Sequence, residues 1–238
     1  MVNFRIKVAD IVLEVNAIHE ITKKYCEDFL SEEESQYKIT MTEEDLKNEV
    51  IESSNGKVYV NEEISALYRK IADIVIEHNI VVLHGSAFKV DGYAFLITAR
   101  SGVGKSTHVR LLKEYLKDKL EYINDDKPLL RVNIDESRLY SSPWNGKERR
   151  GNNISAPLKA VIFLNRAESN SCQKLDNKEV YFKLLSQVYL PKDKIKREKA
   201  LKLIDILLER INFYEINVNT DISSASMTYE RIIKDEIK

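Results

Sequence analysis

The sequence predicts an α/β protein built on a mixed β-sheet, preceded by a small α+β unit. From residue 61 onwards, short apolar runs of strand length alternate with stretches in which apolar residues recur at helical spacing. Six of the seven glycines lie between Gly85 and Gly151, in a chain with about half the usual share of glycine. We therefore expect a small unit over residues 1–60, a main domain over residues 61–238, and a glycine-dependent loop within the main domain.

The first 60 residues carry short elements of both types. Residues 4–15 alternate apolar and polar positions, which fits one bent strand or a hairpin, and residues 37–41 alternate again. A helix is expected over residues 17–30. Another follows Thr42, because Thr42 is a good N-cap and the three acidic residues after it suit the positive end of a helix dipole.

A long helix and three strands are expected to open the main domain. Apolar residues from Ile64 to Val75 form a single helical stripe, and this helix is expected to end near Asn79. Strands are predicted over residues 80–83, 87–90 and 93–98. Asp91-Gly92 separates the last two strands and suits a two-residue primed turn, in which both central residues need positive φ. A hairpin therefore leads directly into residues 99–107.

The remainder continues the alternation of helices and strands. A helix is expected after residue 107 and a strand over residues 120–124. The later elements are strands starting at residue 127 and over 138–141, a polar loop over 143–153, a buried strand over 161–164, helices over 179–188 and 194–210, a strand over 213–218 and a helix from about residue 223.

Composition argues against several classes of partner. The chain has 37 Lys and Arg against 38 Asp and Glu, so a formal net charge of -1 gives no general attraction to nucleic acid or to an anionic membrane. No apolar run approaches the roughly 18 residues of a membrane span. Two cysteines at positions 26 and 172, without paired spacing, favour a reducing compartment over a disulfide framework or a zinc site. With no apolar signal core at the N-terminus, we expect a cytoplasmic protein, and a homo-oligomer stays open.

A phosphate-binding loop is the strongest motif in the sequence. A strand, a loop ending in Gly-Lys-Ser and a helix together direct backbone N–H groups and a helix dipole towards one anion. The expected nucleotide-binding residues are Ser101, Gly102, Val103, Gly104, Lys105, Ser106 and Thr107. Lys105 is expected to reach the β- and γ-phosphates of ATP, and the hydroxyl of Ser106 to bind Mg²⁺. Ala99 stands where the standard motif has its first glycine, and the alternative is a chance turn with an exposed lysine.

Two adjacent carboxylates follow the strand over residues 120–124. Asp125 and Asp126 lie where α/β sheets bind ligands, beyond the carboxyl end of a strand. Because neighbouring strand residues point in opposite directions, the two carboxylates are expected to serve different partners. We assign Asp125 as the base that accepts a proton from an attacking hydroxyl and Asp126 as the metal-linked residue. The reverse order stays open, as does a plain turn at Asp-Asp-Lys-Pro.

Other candidate residues lie near these two motifs. His84, at the end of the strand before the hairpin, is a candidate for contact with the transferred phosphate or with an aspartate, and a structural role is the alternative. Lys147, with Arg149 and Arg150, lies in the polar loop and is a candidate for neutralising phosphoryl charge, unless the loop is simply a solvated surface. His108 and His78 are interpreted as structural or solvated.

The motifs resemble those of a known kinase family. The string Ser-Gly-Val-Gly-Lys-Ser at 101–106, preceded by Leu-His-Gly at 83–85 and followed by Asn-Asp-Asp at 124–126, resembles the catalytic domain of HPr kinase/phosphorylase and, more distantly, ATP-dependent phosphoenolpyruvate carboxykinase. The resemblance implies a fold like the HPr kinase C-terminal domain, with ATP and Mg²⁺ as cofactors. It also implies an active-site position for His84, a phosphate role for Lys105, a proton-transfer role for Asp125 and a metal-linked role for Asp126.

The sequence also departs from that family. Pro143-Trp144-Asn145-Gly146-Lys147 stands where HPr kinases carry an arginine- and glycine-rich signature, and the first 60 residues are shorter than their usual regulatory domain. The chain looks more like the divergent HPr-kinase-like group that includes kinases of peptide or free serine hydroxyls.

Three functions follow from these motifs. The first is a Mg²⁺-ATP-dependent kinase that transfers the γ-phosphoryl group to a hydroxyl, with serine of a peptide, protein or small molecule as the favoured acceptor. The second is a nucleotide-dependent switch or ATP-binding module with little or no phosphotransfer. The aspartate pair favours the first, because a switch needs no acceptor base. A carboxykinase-like lyase is disfavoured, because a chain about half the usual size would have to supply a second metal and a carboxylate clamp.

Overall fold

The computed structural model describes residues 1–52 and 59–238, which form two compact units. The first unit spans Met1–His78 and the second Asn79–Lys238. The division therefore falls after the helix that the sequence analysis placed at the start of the main domain. Within the described residues, no helix has the length and apolar content needed to cross a bilayer.

The first unit is a three-stranded sheet with helices, as its residue pattern predicts. Strands β1 (Val2–Val8) and β2 (Ile11–Ala17) form an antiparallel hairpin, and β3 (Tyr37–Thr40) pairs parallel to β2. The helices are α1 (Glu20–Tyr25), α2 (Glu43–Glu52) and α3 (Tyr59–Val75). Thr42 caps α2 in a reciprocal pair: its hydroxyl accepts from the Asp45 N–H, and the Asp45 carboxylate accepts from the Thr42 N–H.

The first helix is much shorter than the predicted span of residues 17–30. Ala17 is still paired in β2, and after Tyr25 the chain tightens into a 3₁₀ turn at Glu27–Phe29. The start of α1 is held by Glu63, a fully buried carboxylate on α3 that accepts from the backbone N–H groups of Ile18 and His19 and from the Thr22 hydroxyl. A distant carboxylate therefore fixes the two residues that precede α1, together with the Thr22 side chain of its first turn.

The second unit is built on a nine-stranded mixed sheet. Its strands are β4 (Ile80–Val82), β5 (Ser86–Val90), β6 (Tyr93–Thr98), β7 (Leu120–Asn124), β8 (Leu129–Arg131), β9 (Arg138–Tyr140), β10 (Ser155–Arg166), β11 (Ser171–Lys174) and β12 (Asn212–Val218). The order is β4-β8-β9-β10-β6-β5-β7, with β12 pairing to β10 and β11 to β12. The sheet confirms the predicted α/β class with a mixed sheet.

The longest strand organises this sheet. The first residues of β10 pair antiparallel with β9, and its later residues pair parallel with β6 on one side and β12 on the other. The sequence indicated only its fully apolar centre at residues 161–164. Strand β11 was not predicted, because Ser171–Lys174 is polar and exposed apart from the half-buried Cys172.

Helices complete the unit. They are α4 (Lys105–Leu116), α5 (Asn177–Leu185), α6 (Lys194–Arg210), α7 (Ile222–Thr228) and α8 (Lys234–Ile237), with a π-helical turn at Tyr229–Ile233 between the last two. One face of β5, β6, β10 and β12 packs against α4 and α7 around a buried apolar cluster that includes Phe88, Ile97, Ile162 and Val109. Burial of this face of the sheet holds α4 against β6, the strand that precedes it in the chain.

The topology brings several strand ends to one edge. Strand β5 is antiparallel to both β6 and β7, so β6 and β7 run in the same direction, as do β10 and β12. The carboxyl ends of these four strands therefore lie along one edge of the sheet. Residues 99–104 follow β6 at that edge, and Asp125-Asp126 follow β7.

Candidate functional site

The loop over residues 99–104, which we call the glycine loop, links β6 directly to α4. Gly102 has φ 80° and Gly104 has φ 119°, a backbone conformation that other residues adopt only with strain. A Cβ at either position would meet open space, so conformation rather than crowding calls for glycine. No side chain caps the start of α4 at Gly104, which leaves the amides of its first turn open to an anion.

Lys105, the first residue of α4, turns inwards. It is 8 % exposed, and its Nζ lies 3.3 Å from the carbonyl oxygen of Ala99 and 3.2 Å from Nε2 of His84. Burial lowers the pKa of Lys105, and the Asp126 carboxylate opposes that effect. The ammonium group therefore lies inside the curl of the glycine loop, with one backbone carbonyl as its hydrogen-bond acceptor.

Asp125 lies next to the hydroxyl predicted to bind the metal. Its Oδ1 accepts a hydrogen bond from Ser106 Oγ at 3.0 Å and another from Ser86 Oγ at 2.5 Å. Ser86 belongs to β5, between the strands that carry the two motifs. The carboxylate and the hydroxyl of Ser106 are thus held side by side at the start of α4.

Asp126 faces a different set of partners. Its Oδ1 lies 3.6 Å from Nε2 of His84 and 3.8 Å from Nζ of Lys127. The two neighbouring aspartates therefore point to different groups, as expected, although both lie in the bend after β7 and not within the strand. The carboxylate of Asp126 remains partly open, with 39 % of its side chain exposed.

His84 connects the aspartate to the sheet. Its Nδ1 lies 3.3 Å from Oε1 of Gln187. The Thr98 hydroxyl donates to the His84 carbonyl oxygen at 2.7 Å and lies 3.1 Å from the same Gln187 oxygen. Burial, followed by the cations of Lys127 and Lys105, lowers the pKa of His84, and Asp126 only partly opposes them. The imidazole is therefore neutral at pH 7.

Two buried asparagines, which sequence reasoning missed, shape the turn that carries the aspartates. Asn124 is fully buried, and its Oδ1 accepts from the N–H groups of Asp126 (3.0 Å) and Lys127 (2.7 Å). Asn145, 5 % exposed, accepts from the Asp125 N–H at 2.8 Å and donates to the Gly151 carbonyl at 3.0 Å. The available signal was an Asn directly before a turn sequence, where its side chain accepts from amides two and three residues later. Asp125 and Asp126 thus form a turn and are also the candidate site residues, so the two interpretations of this segment are compatible.

The polar loop over residues 143–153 lies against this turn. Besides the Asn145 contacts, Lys127 N donates to the Trp144 carbonyl at 3.1 Å. Lys147, the lysine of this loop, is exposed. Arg150 pairs with Glu148 instead. The structure thus brings together His84, Lys105, Ser106, Asp125 and Asp126, and leaves Lys147 at the loop surface nearby.

The remaining histidines named in the sequence analysis make contacts within the fold. His108 is buried on α4, with Nε2 2.9 Å from Thr228 Oγ1. His78 lies in the first unit, with Nε2 2.7 Å from the Tyr37 hydroxyl. Both positions agree with a structural interpretation.

Two clefts flank the glycine loop. A cleft of about 470 Å³ opens beside Thr98, Arg100 and Gln187 and is bordered by Phe182 on α5. A smaller cleft of about 220 Å³ lies between Gly102–Thr107 and the ends of β10 and β12. The loop therefore has room for bound groups on both sides.

The donor set suits a magnesium ion that is shared with phosphate oxygens. A hydroxyl and a carboxylate, Ser106 and Asp125, lie 3.0 Å apart. Among residues 1–52 and 59–238, no group of three or more His, Cys, Asp or Glu side chains is arranged to hold a metal ion by itself. Mg²⁺ is commonly held by one or two carboxylates together with substrate phosphates and water, so these residues fit that mode of binding.

Comparison with known proteins gives only distant structural likenesses. No family profile matches the sequence, and neither does any curated protein. Among solved structures, the chain is similar to the Hpr(Ser) kinase/phosphatase from Coxiella burnetii, with 11 % sequence identity and a TM-score of 0.39, over 65 % of this chain and 92 % of that one.

Proposed function

We propose that this protein is a Mg²⁺-ATP-dependent kinase that transfers the γ-phosphoryl group to a hydroxyl, with serine of a peptide, protein or small molecule as the favoured acceptor. One observation carries the proposal: a glycine loop and uncapped helix start face a lysine, a serine hydroxyl and two carboxylates with different partners. An anion cradle, a metal-side pair and a separate carboxylate are the parts that phosphoryl transfer requires.

The hydrogen bonds support the reverse of the aspartate assignment preferred from the sequence. Asp125 shares a hydrogen bond with Ser106, so we assign these two residues to the metal. Asp126 is partly exposed beside a neutral His84, so we assign it as the base. As the acceptor oxygen forms its bond to the γ-phosphorus, its proton passes to the Asp126 carboxylate, and the bond from the γ-phosphorus to the β–γ bridging oxygen breaks so that ADP leaves.

The other residues of the site bind the negatively charged phosphate oxygens. When bound, Mg²⁺ neutralises phosphate oxygens as charge develops on them. Lys105 exchanges its carbonyl partner at Ala99 for a phosphate oxygen, which is a stronger, charge-assisted hydrogen bond. The amides of the glycine loop and of the first turn of α4 bind the remaining oxygens. Because these groups are already oriented, little reorganisation is needed at the moment of transfer.

A nucleotide-dependent switch is the second candidate. It requires the same cradle and the same metal-side pair, but it has no use for an open carboxylate held beside a histidine. The partial exposure of Asp126 favours the kinase, because the base must be reached by the acceptor.

The test is transfer of labelled γ-phosphate from Mg²⁺-ATP to free serine, serine-ended peptides and a cell extract, with release of inorganic phosphate measured in parallel. We expect Asp126→Asn to lower transfer by about 10²-fold or more while ATP affinity is retained, because a general base typically contributes that much. Asp118→Asn, at an exposed position in the turn after α4, is the control and should change nothing. Phosphate release without transfer to any acceptor would instead support the switch.

A further inference from the structure

A short stretch of strand-like pairing holds Gln187 beside the candidate site. The His84 N–H donates to the Gln187 carbonyl oxygen at 2.8 Å, and the neighbouring pair, Leu83 and Val188, forms an antiparallel bridge. Residues directly opposite each other in such a pair carry their side chains on the same face. The side chains of His84 and Gln187 are therefore held together by the backbone, although the two residues are far apart in the sequence.

The amide group of Gln187 is held at both ends. Its Oε1 lies 3.3 Å from Nδ1 of His84 and 3.1 Å from the hydroxyl of Thr98, a fully buried residue at the end of β6. Its Nε2 donates to Ser186 Oγ at 2.9 Å. The oxygen of the amide, and not its nitrogen, thus faces the imidazole.

Lys105 determines which nitrogen of His84 carries the hydrogen. Its Nζ lies 3.2 Å from Nε2 of His84. An ammonium group donates hydrogen bonds and accepts none, so Nε2 must be the acceptor. Because the imidazole is neutral, its single hydrogen is on Nδ1, where Gln187 Oε1 accepts it. The opposite tautomer would set an N–H of His84 against the N–H groups of Lys105.

This arrangement directs the ammonium group of Lys105. Its Nζ lies near two acceptors, Nε2 of His84 at 3.2 Å and the Ala99 carbonyl oxygen at 3.3 Å. An ammonium group has three hydrogens, so His84 still holds Lys105 when other hydrogens point to phosphate oxygens. Placement of such a group matters, because a displacement of about 1 Å can cost up to about 100-fold in rate.

We propose that Gln187 is a positioning residue for phosphoryl transfer. By accepting the Nδ1–H of His84, it keeps the lone pair of Nε2 directed at Lys105 and so holds the ammonium group at the glycine loop. This inference rests on the proposed function and deepens it, because it extends the site to a residue that acts through His84 and Lys105.

The first measurement determines the tautomer of His84 from the ¹⁵N NMR shifts of its ring in the ligand-free protein. The chain has four histidines, and the His84 signals are assigned by their loss in His84→Gln. We expect the hydrogen on Nδ1 in the parent. Gln187→Met removes the acceptor oxygen from a side chain of similar length, so the opposite tautomer should become populated. Ser186→Ala is the matched control, because Ser186 contacts the nitrogen end of the same amide.

The second measurement is the affinity for Mg²⁺-ATP, by calorimetry, in the parent, Gln187→Met, Lys105→Ala and the double variant. Gln187→Met should weaken binding about fivefold, which corresponds to the net contribution of about one hydrogen bond. In the Lys105→Ala background the same change should have no further effect, because Gln187 acts through that lysine. Ser186→Ala should bind ATP as the parent does.

The outcomes separate this inference from the function beneath it. A parent with the hydrogen on Nε2 would overturn the inference, and this measurement needs no variant to fold. An unchanged tautomer in Gln187→Met, or additive losses of affinity in the double variant, would also overturn it and leave the kinase proposal intact. If the parent does not bind Mg²⁺-ATP, the proposed function fails and the inference falls with it. Melting temperatures without ligand show whether each variant is folded.

Discussion

At the scale of single residues, the site depends on how two adjacent aspartates are given different surroundings. Both lie in the bend that follows β7, where Asp125 meets serine hydroxyls from β5 and α4 while Asp126 meets His84. The backbone of this turn is held by buried amide side chains and not by a regular ladder. Asn145, 20 residues after Asp125, does this from a loop that it closes by donating to the Gly151 carbonyl. Any Cβ at Gly151 would lie 2.4 Å from the Ile123 carbonyl oxygen.

We predict that replacing Asn145 weakens the effect of Mg²⁺ on ATP affinity. Asn145→Ala leaves the Asp125 amide without its acceptor, which should cost about 1–3 kcal/mol of stability and release the carboxylate from Ser106. We expect Mg²⁺ to strengthen ATP binding in the parent and to have a much smaller effect in Asn145→Ala, as in Asp125→Asn. The measurement is ATP affinity with Mg²⁺ and with EDTA. A variant that is less stable but keeps the full Mg²⁺ effect would show that Asn145 is only structural.

At the scale of elements, α4 is fixed by its contact with α7 as well as by the sheet. The contact includes a buried polar group: His108 Nε2 lies 2.9 Å from Thr228 Oγ1, and Nδ1 lies 3.4 Å from Ser224 Oγ. Burial lowers the pKa of His108 to about 4. The same helix begins at the glycine loop, so the position of the glycine loop depends on this packing.

Protonation of His108 predicts an acid-sensitive fold. Unfolded histidine titrates near pH 6.5, so below that pH the unfolded chain gains a proton that the folded chain does not accept until about pH 4. The free energy of unfolding should therefore fall as pH drops from about 6.5 to 4, by up to about 3 kcal/mol from this group. His84, whose pKa is also lowered, acts in the same direction.

Urea unfolding at pH 7.5 and 5 measures this effect. We expect His108→Gln to reduce the loss of stability at the lower pH, whereas His78→Gln, in the other compact unit, serves as the control. An equal loss in the parent and in His108→Gln would contradict the assignment of the effect to His108.

At the scale of the whole molecule, the nine-stranded sheet determines which residues meet. Strand β5 separates β6 from β7, so the glycine loop and the aspartates lie two strands apart, within reach of one polyphosphate. Residues that would bind a ligand at this edge come together only when the second unit is folded. A ligand that binds only the folded state stabilises that state by mass action.

Heat stabilisation by Mg²⁺-ATP is the corresponding prediction. At a ligand concentration of about 100 times Kd, the gain should be about 2.7 kcal/mol, measured as a rise in melting temperature. Lys105→Ala should lose most of this gain, because its ammonium group lies in the cradle. Lys234→Ala, on the exposed surface of α8, should keep it. If the parent shows no gain at all, both the kinase and the switch are excluded.

The sequence by itself was sufficient for features whose causes lie within a few residues. The hairpin at Asp91-Gly92 follows from two adjacent residues with positive φ, and the cap at Thr42 from a reciprocal hydrogen bond over three residues. The glycine loop follows from the φ values that only glycine adopts without strain. Such features are encoded locally, so they can be recognised without knowledge of the fold.

Only the tertiary structure decided which partner each side chain has. Ser86 and Asp125 are 39 residues apart, and His84 and Gln187 are 103 apart, so no sequence spacing indicates that they meet. The same holds for the start of α1, where Glu63 on α3 accepts from the Ile18 N–H across 45 residues. These contacts depend on strand order and burial, which arise from packing across the whole sheet, and for that reason the sequence predicted the pair of aspartates but not their surroundings.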